Sequence, residues 1–215
     1  MAKKQKVTLS LLLMNLFIAF LGIGLVIPVL PTLMNELSIS GTVVGYLTAA
    51  FALTQLVVSP FAGKAVDRFG RKIMIVLGLF IFGFSEFLFG LGKTVEVLFI
   101  SRILGGVSAA FIMPAVTAFI VDITTIDTRP KALGYMSAAI STGFIIGPGI
   151  GGFLADIGIR VPFYAAGVLG VVAAILSLVL LKEPERLEEP EQDLEGAEQN
   201  SLSKILMPKF LIAFI

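Results

Sequence analysis

Two ionisable residues of this sequence lie inside long apolar stretches, where a charge is costly. Glu86 lies in the run 73–92 and Arg102 in the run 97–121. Charged residues in such places usually face a bundle interior or a water-filled cavity and mark paths for substrates and ions. The chain contains no His and no Cys. Proton transfer would therefore fall to carboxylates, and no imidazole or thiolate is available as a metal ligand.

Glu86 and Arg102 are expected to approach each other. Glu86 precedes the turn at Lys93 by about seven residues and Arg102 follows Glu96 by about six, which places both roughly 10 Å below the same surface. Two roles are open for such a pair: it joins two spans, or it lines a cavity and takes part in substrate or proton coupling. A paired carboxylate stays charged and carries protons poorly, whereas one without a partner in an apolar site binds a proton readily.

The elements that must position these residues are membrane-spanning helices. The chain is 57% hydrophobic and 14% charged, with a mean hydropathy of +0.99, whereas a soluble domain carries about 25% charged residues. Apolar runs near the roughly 20 residues that cross a bilayer recur without the alternation of barrel strands. We therefore predict an all-α membrane protein with a six-helix transmembrane bundle. The spans are placed at residues 8–31, 43–62, 73–92, 97–121, 132–155 and 161–181.

Three segments follow from this placement. Residues 1–181 are predicted to form the N-terminal bundle, residues 182–204 an acidic cytoplasmic linker, and residues 205–215 the truncated start of transmembrane helix 7. The first apolar run is too long for a signal-peptide core and no small-residue cleavage site follows it, so we expect it to be retained as a span.

Lys and Arg are concentrated on one side of the predicted bundle. If the N-terminus is inside, most of the 16 basic residues fall in cytoplasmic segments, and the outer turns keep only Lys93 and Arg160. Such a bias sets the orientation of a membrane protein. The chain is thus predicted to be a multi-pass protein of the plasma membrane with a cytoplasmic N-terminus.

A charged segment, GKAVDRFGRK at 63–72, joins the second and third spans as a predicted loop. A solvated loop on the cytoplasmic side explains its Lys and Arg residues, but it does not explain Asp67 or the glycines Gly63 and Gly70. Asp67 and Arg71 are one helical turn apart and can pair, although an exposed pair contributes only a few tenths of a kcal/mol.

The fifth span is rich in helix breakers. Gly143, Gly147 and Gly151 are spaced by four and share one helical face, where a neighbouring backbone can approach closely. Pro148 removes a backbone donor and favours a bend. Plain tight packing and a bent helix that seals or hinges a pathway are both compatible with this pattern.

These motifs together resemble the major facilitator superfamily. Residues 63–72 are similar to its loop signature, and LFISRILGGVSAA, at 98–110, is similar to its fourth-helix signature, with Arg102 at the arginine position. LGIGLVIPVLP, at 21–31, resembles the first-helix pattern of its drug/proton antiporters. The fifth-helix signature of those antiporters is matched by Gly143, Gly147, Pro148, Gly151 and Gly152.

The resemblance implies half of a twelve-span fold, made of two inverted three-helix repeats. Pro60 and Gly63 are spaced like Pro148 and Gly151, in spans that run in opposite directions, which agrees weakly with such repeats. Among subgroups, the sequence is most similar to the exporters of Gram-positive bacteria that remove fluoroquinolones and lipophilic cations.

The resemblance also implies roles for particular residues. A conformational latch on the cytoplasmic side would use the segment 63–72 and the acid at the end of the fourth helix. Its members would be Gly63, Asp67, Arg68, Gly70, Arg71 and Asp122. Arg102 would line the substrate or proton pathway, with Glu86 beside it. Gln55 and Phe144 are candidate contacts for lipophilic drugs, although helix bridging and simple packing explain them equally well.

The expected function is therefore proton-coupled multidrug efflux by alternating access, with drugs, protons and the lipid bilayer as partners. The resemblance implies that a C-terminal six-helix half is needed, and we expect no enzyme activity, cofactor, metal or nucleic acid. Because no phosphate loop, nucleotide fold or metal cluster is visible, the energy is expected to come from an ion gradient and not from ATP. The alternative is a truncated, transport-inactive or partner-binding six-span membrane protein.

Overall fold

The computed structural model describes residues 3–184, and in that part of the chain every regular element is a helix. Six of these helical stretches are long and apolar enough to cross a membrane, which confirms the predicted fold class. The helices are α1 (Lys3–Val26), α2 (Leu30–Leu37), α3 (Gly41–Phe69), α4 (Arg71–Leu91), α5 (Val95–Asp122), α6 (Arg129–Ile157) and α7 (Val161–Leu180).

The first span is longer than predicted. It covers Gln5–Leu37, because a short 3-10 turn, Ile27–Val29, continues α1 into α2 without a loop. Pro28 has no N–H to donate to the carbonyl of Gly24, so the regular α-helical pattern cannot continue through this point. The chain finally turns at Ser38, which adopts a left-handed conformation with φ 53°.

The segment 63–72 is not a loop, which corrects the sequence interpretation. Residues up to Phe69 complete α3, Gly70 alone breaks the helix, and α4 begins at Arg71. With 29 residues, α3 exceeds the roughly 20 residues that a bilayer needs. Its charged end can therefore stay helical beyond the apolar core.

The helix contacts follow the symmetry of an inverted repeat. An inverted repeat relates α1 to α5, α3 to α6, and α4 to α7. Under this exchange, the contact between α1 and α6 becomes the contact between α5 and α3. The contact between α4 and α5 likewise becomes that between α7 and α1, and the pair of α4 with α7 maps onto itself. All five of these contacts are extensive.

Small residues bring α4 and α7 close together. A Cβ added at Gly83 would lie 2.8 Å from the carbonyl oxygen of Gly167, and one at Gly170 would lie 3.1 Å from the Cα of Gly83. In lipid, such close backbone contact is a main source of helix association. The pair of α4 with α7 thus forms a tightly packed unit, and α4 also carries Arg71 and Glu86.

The two helices with the least internal burial are α3 and α6. Only 6% of the apolar window of α3 and 17% of that of α6 are buried inside the bundle, against 39 to 61% for the other spans. The hydrophobic core is built mainly from the remaining helices, with Leu12, Ile75, Leu79 and Phe119 fully buried. Most of the surface of α3 and α6 therefore faces lipid or a partner.

Candidate functional site

Arg71 is the centre of a charged cluster where three helices end. Its Nε donates to Oδ2 of Asp122 at 2.8 Å, and its Nη2 lies 3.1 Å from Oδ1 of Asp67. Nη1 donates to the carbonyl oxygen of Val66 at 3.2 Å. We call Asp67, Arg71 and Asp122 the cytoplasmic cluster, following the predicted orientation. It joins the end of α3, the start of α4 and the end of α5.

Exposure differs sharply within the cytoplasmic cluster. The side chains of Arg71 and Asp122 are 10% and 12% exposed, whereas that of Asp67 is 67% exposed. Removing one partner of an ion pair that is shielded from water costs more than removing one partner of a surface pair, because the remaining charge is left without compensation. The contact of Arg71 with Asp122 is therefore the structural core of the cluster, and Asp67 presents its carboxylate to the outside.

A second charged pair is buried between α4 and α5. Nη2 of Arg102 lies 3.7 Å from Oε1 of Glu86, too far for a hydrogen bond, and the two side chains are 17% and 5% exposed. The guanidinium carbon of Arg102 also lies 4.1 Å from the centre of the Phe89 ring, which places the charge against the aromatic face. Among residues 3–184, no hydrogen-bond partner reaches Oε2 of Glu86 or Nε of Arg102.

Serine hydroxyls hold the two helices that carry this pair. Ser101 on α5 donates to the carbonyl oxygen of Ser85 on α4 at 2.8 Å, and Ser108 donates to that of Gly78 at 2.8 Å. Ser101 and Ser85 directly neighbour Arg102 and Glu86 in sequence. The distance within the charged pair is therefore set by backbone contacts as well as by the charges.

The glycine face of α6 lies against the backbone of α1. A Cβ at Gly143 would lie 2.8 Å from the backbone of α1, and one at Gly147 would lie 2.7 Å from the Cα of Gly24. A Cβ at Gly151 would overlap the carbonyl oxygen of Leu25. Each of these glycines thus permits an approach that any side chain would prevent.

The remaining members of the fifth-helix motif behave differently. Gly152, which matches the fifth-helix signature, has open space beside it among the described residues, so it takes no part in the contact with α1. It lies about 100° around the helix from Gly151. Pro148 lies inside α6, which continues through it to Ile157, and its Cδ is 3.2 Å from where a Cβ of Gly24 would lie.

The other predicted residues are spread over α3 and α6. Phe144 is 37% exposed and its ring centre lies 5.1 Å from that of Phe20 on α1. Gln55 is half-buried on α3. The guanidinium of Arg68 lies 5.4 Å from the ring of Phe69. The structure therefore groups Asp67 with Arg71 and Asp122, and Glu86 with Arg102.

Sequence reasoning missed a polar contact at the end of the bundle opposite the cytoplasmic cluster. Nη1 of Arg160 donates to the carbonyl oxygens of Gly90 and Gly92 at 2.7 Å each, and Nη2 donates to Glu36 at 2.9 Å. The guanidinium of Arg160 gives these carbonyl groups at the C-terminal end of α4 a hydrogen-bond donor, and its positive charge complements the dipole of the helix. The only available signal was that Arg160 is one of two basic residues in the predicted outer turns.

A second missed residue is Glu183, just after α7. Its carboxylate accepts hydrogen bonds from the backbone N–H groups of Arg71 and Lys72, the latter at 3.0 Å. In the sequence it is one acid in a strongly acidic segment, and composition alone did not distinguish it from its neighbours.

Six membrane-length helices with charge buried between two of them define a multi-pass helical membrane protein. Comparison with known proteins makes this class specific: the chain matches the model of the Major Facilitator Superfamily over residues 12–215. It is 67% identical over 213 residues to Multidrug resistance protein 1 of Bacillus subtilis (strain 168), covering 99% of this chain and 54% of that relative. It is 51% identical over 172 residues to Quinolone resistance protein NorA of Staphylococcus aureus, covering 80% of this chain and 44% of that relative.

The fold is shared with solved structures as well. A bacterial homolog of the human lysosomal transporter Spinster, in an inward-facing and occupied conformation, superposes with a TM-score of 0.80 at 21% identity, covering 91% of this chain and 48% of that one. The chain belongs to the Major Facilitator Superfamily, a family of transporters and not of enzymes. This confirms the resemblance inferred from the motifs. The chain spans about half the length of the curated relatives it matches.

Proposed function

We propose that this chain is the N-terminal half of a proton-coupled exporter of lipophilic and cationic drugs that works by alternating access. The observation that carries the proposal is the cytoplasmic cluster, in which Arg71 bridges Asp67 and Asp122 at the ends of three helices. The side chain of Asp67 is 67% exposed while it pairs with Arg71, and we infer that its carboxylate also contacts a helix N-terminus of a second half. Such a contact contributes about 0.3 to 2 kcal/mol, enough to bias two states without freezing either.

The buried pair of Glu86 and Arg102 supports the coupling part of the proposal. The two charges are 3.7 Å apart and incompletely hydrogen-bonded within the described residues. Buried charges with poor pairing are costly, and in membrane proteins they are concentrated on ion and substrate paths. Arg102 therefore lines the pathway, and Glu86 is the carboxylate that exchanges a proton or stabilises the arginine.

The exposed faces of α3 and α6 support the need for a second half. These helices bury little of their apolar surface inside the bundle, and Cβ atoms at Gly45 of α3 or Gly149 of α6 would meet nothing within 4 Å. A C-terminal six-helix bundle placed against this surface would bring Gln55 and Phe144, one on each helix, to the space between the halves. Aromatic and aliphatic side chains there suit lipophilic cations.

The names of the relatives support drugs as substrates. Two of the matched proteins are named as multidrug resistance proteins and another as a quinolone resistance protein. With most Lys and Arg residues on one side, the N-terminus and the cytoplasmic cluster are assigned to the cytoplasm of the host cell.

Dye efflux from whole cells tests this proposal. The chain is expressed alone and together with the C-terminal half of Multidrug resistance protein 1, which is 67% identical over the matched region. We expect efflux only when both halves are present. Efflux by the chain alone would contradict the need for a second half. No efflux from the pair, with both halves present in the membrane, would favour a transport-inactive or partner-binding protein.

A further inference from the structure

The N-terminus of α4 is capped by a residue that is distant in sequence and lies just after α7. Oε1 of Glu183 accepts the N–H of Arg71 and Oε2 accepts that of Lys72, across more than a hundred residues of sequence. The first N–H groups of a helix lack partners within the helix and carry partial positive charge. One carboxylate thus performs the role that an adjacent Asp or Ser usually plays.

Gly70 makes this contact possible. Its φ of +95° is a conformation that residues with side chains rarely adopt. A Cβ at this position would also lie 2.7 Å from Oε1 of Glu183 and 2.8 Å from its Cδ. The glycine is therefore required both by the sharp turn between α3 and α4 and by the carboxylate above it.

The approach of Glu183 to α4 is itself fixed by its neighbours. Leu181 is 1% exposed, belongs to the main hydrophobic core, and donates its N–H to the carbonyl oxygen of Ser177 at 3.0 Å. Leu181 already has an extended conformation, with φ −75° and ψ 136°, and Pro184 disfavours a helical conformation at Glu183 before it. A buried leucine and a proline thus hold the carboxylate on both sides.

We propose that Glu183 is a positioning residue that anchors the start of the segment after α7 and holds Arg71 between Asp67 and Asp122. Arg71 donates its backbone N–H to Glu183, and its side chain contacts both Asp67 and Asp122. Release of Glu183 would free the first turn of α4 and loosen the cytoplasmic cluster. Through Glu183, the segment after α7 therefore controls how firmly Arg71 is held in the cytoplasmic cluster. Only the consequence for transport rests on the proposed function.

Distance measurement between two spin labels tests the anchor without any transport assay. The chain has no native Cys, so Lys64→Cys and Lys182→Cys, both at exposed positions, introduce two labels into the membrane-inserted full chain. We expect one narrow distance. The negative charge of Glu183 makes its hydrogen bonds to the two N–H groups strong. Glu183→Gln keeps the shape of the side chain but removes this charge, so it should lower the ratio of anchored to released chain about tenfold.

Gly70→Ala attacks the same contact from the opposite side and leaves Glu183 unchanged. We expect it to broaden the distance in the same way. Gly134→Ala is its matched control, because a Cβ at Gly134 meets nothing within 4 Å, and Asp127→Asn removes an exposed acid between α5 and α6. Both controls should keep the narrow distance. A narrow distance in Glu183→Gln would overturn the anchor.

Efflux kinetics in the chain completed by a C-terminal half test the positioning role. Glu183→Gln should lower the maximal rate while the half-saturating dye concentration stays the same, because Glu183 lies at the helix ends and Glu86 and Arg102 lie within the spans. Glu183→Asp, which keeps the carboxylate, should restore part of the rate. A broadened label distance with an unchanged rate would overturn the positioning role. Absence of efflux in the unsubstituted pair would contradict the proposed function and leave the label result standing.

Discussion

Nε of Arg71, the first residue of α4, donates to Oδ2 of Asp122, the last residue of α5, at 2.8 Å. Both side chains are largely shielded from water. Removing one partner of a buried pair leaves the other charge without compensation, at a cost of about 3 to 5 kcal/mol. This contact is therefore expected to be important for the stability of the bundle.

Arg71→Gln should lower the midpoint of thermal unfolding of the detergent-solubilised chain strongly, and Arg71→Lys should lower it less, because lysine keeps the charge but not the forked donors. Arg68→Gln is the control, since Arg68 is exposed at the end of α3. The double variant Arg71→Gln with Asp122→Asn should lose less than the sum of the single losses. Strict additivity would show that the two residues are not coupled.

Asp67→Asn should abolish drug resistance in the chain completed by a C-terminal half while leaving membrane insertion intact. The substitution keeps the shape but removes the charge that the exposed carboxylate offers to a helix N-terminus. The measurement is growth in the presence of a lipophilic cation, with membrane levels checked on a blot. Asp127→Asn should leave resistance unchanged. Normal resistance in Asp67→Asn would remove this residue from the mechanism.

Gly151→Ala should destabilise the contact of α6 with α1, because the new Cβ would overlap the carbonyl oxygen of Leu25. Overpacking of this kind costs about 1 to 3 kcal/mol. Gly152→Ala adds the same methyl group at the next residue, where space is open, and should have little effect. The midpoints of thermal unfolding of the two variants are measured in detergent. Equal midpoints would contradict the close contact between Gly151 of α6 and the backbone of α1.

Glu86→Gln tests whether the buried carboxylate takes part in proton coupling. If Glu86 exchanges a proton during transport, proton-driven dye uptake into inverted vesicles should fall to background, while dye binding is retained. If it only stabilises Arg102, uptake should persist and the thermal stability should drop instead. Unchanged uptake would exclude Glu86 from the coupling mechanism and leave it a structural role.

The sequence was most informative where spacing along a helix or depth in the membrane carries the signal. Spacing alone placed Gly151 on a packing face, and membrane depth alone brought Glu86 and Arg102 to the same level. Contacts between distant parts of the chain were not predictable in this way. Glu183 and Arg160 lie beyond opposite ends of α7 and cap opposite ends of α4, and neither role has a local pattern. The helical form of the charged segment was also missed, because Gly and charge normally indicate a loop.

The predicted linker at 182–204 and the seventh helix from 205 lie outside the described residues, except for 182–184. The assignment of an inner and an outer side follows from the distribution of Lys and Arg. The direction of transport depends on this orientation, whereas the contacts of the cytoplasmic cluster and of Glu183 do not.

Labelling of single cysteines from outside intact cells tests that orientation most directly. Lys64→Cys lies at the charged end of α3 and Lys93→Cys in the turn between α4 and α5, and both positions are exposed. With a membrane-impermeant maleimide, we predict that Lys93→Cys reacts in intact cells and that Lys64→Cys reacts only after the membrane is permeabilised. Reaction of Lys64→Cys in intact cells would contradict the account.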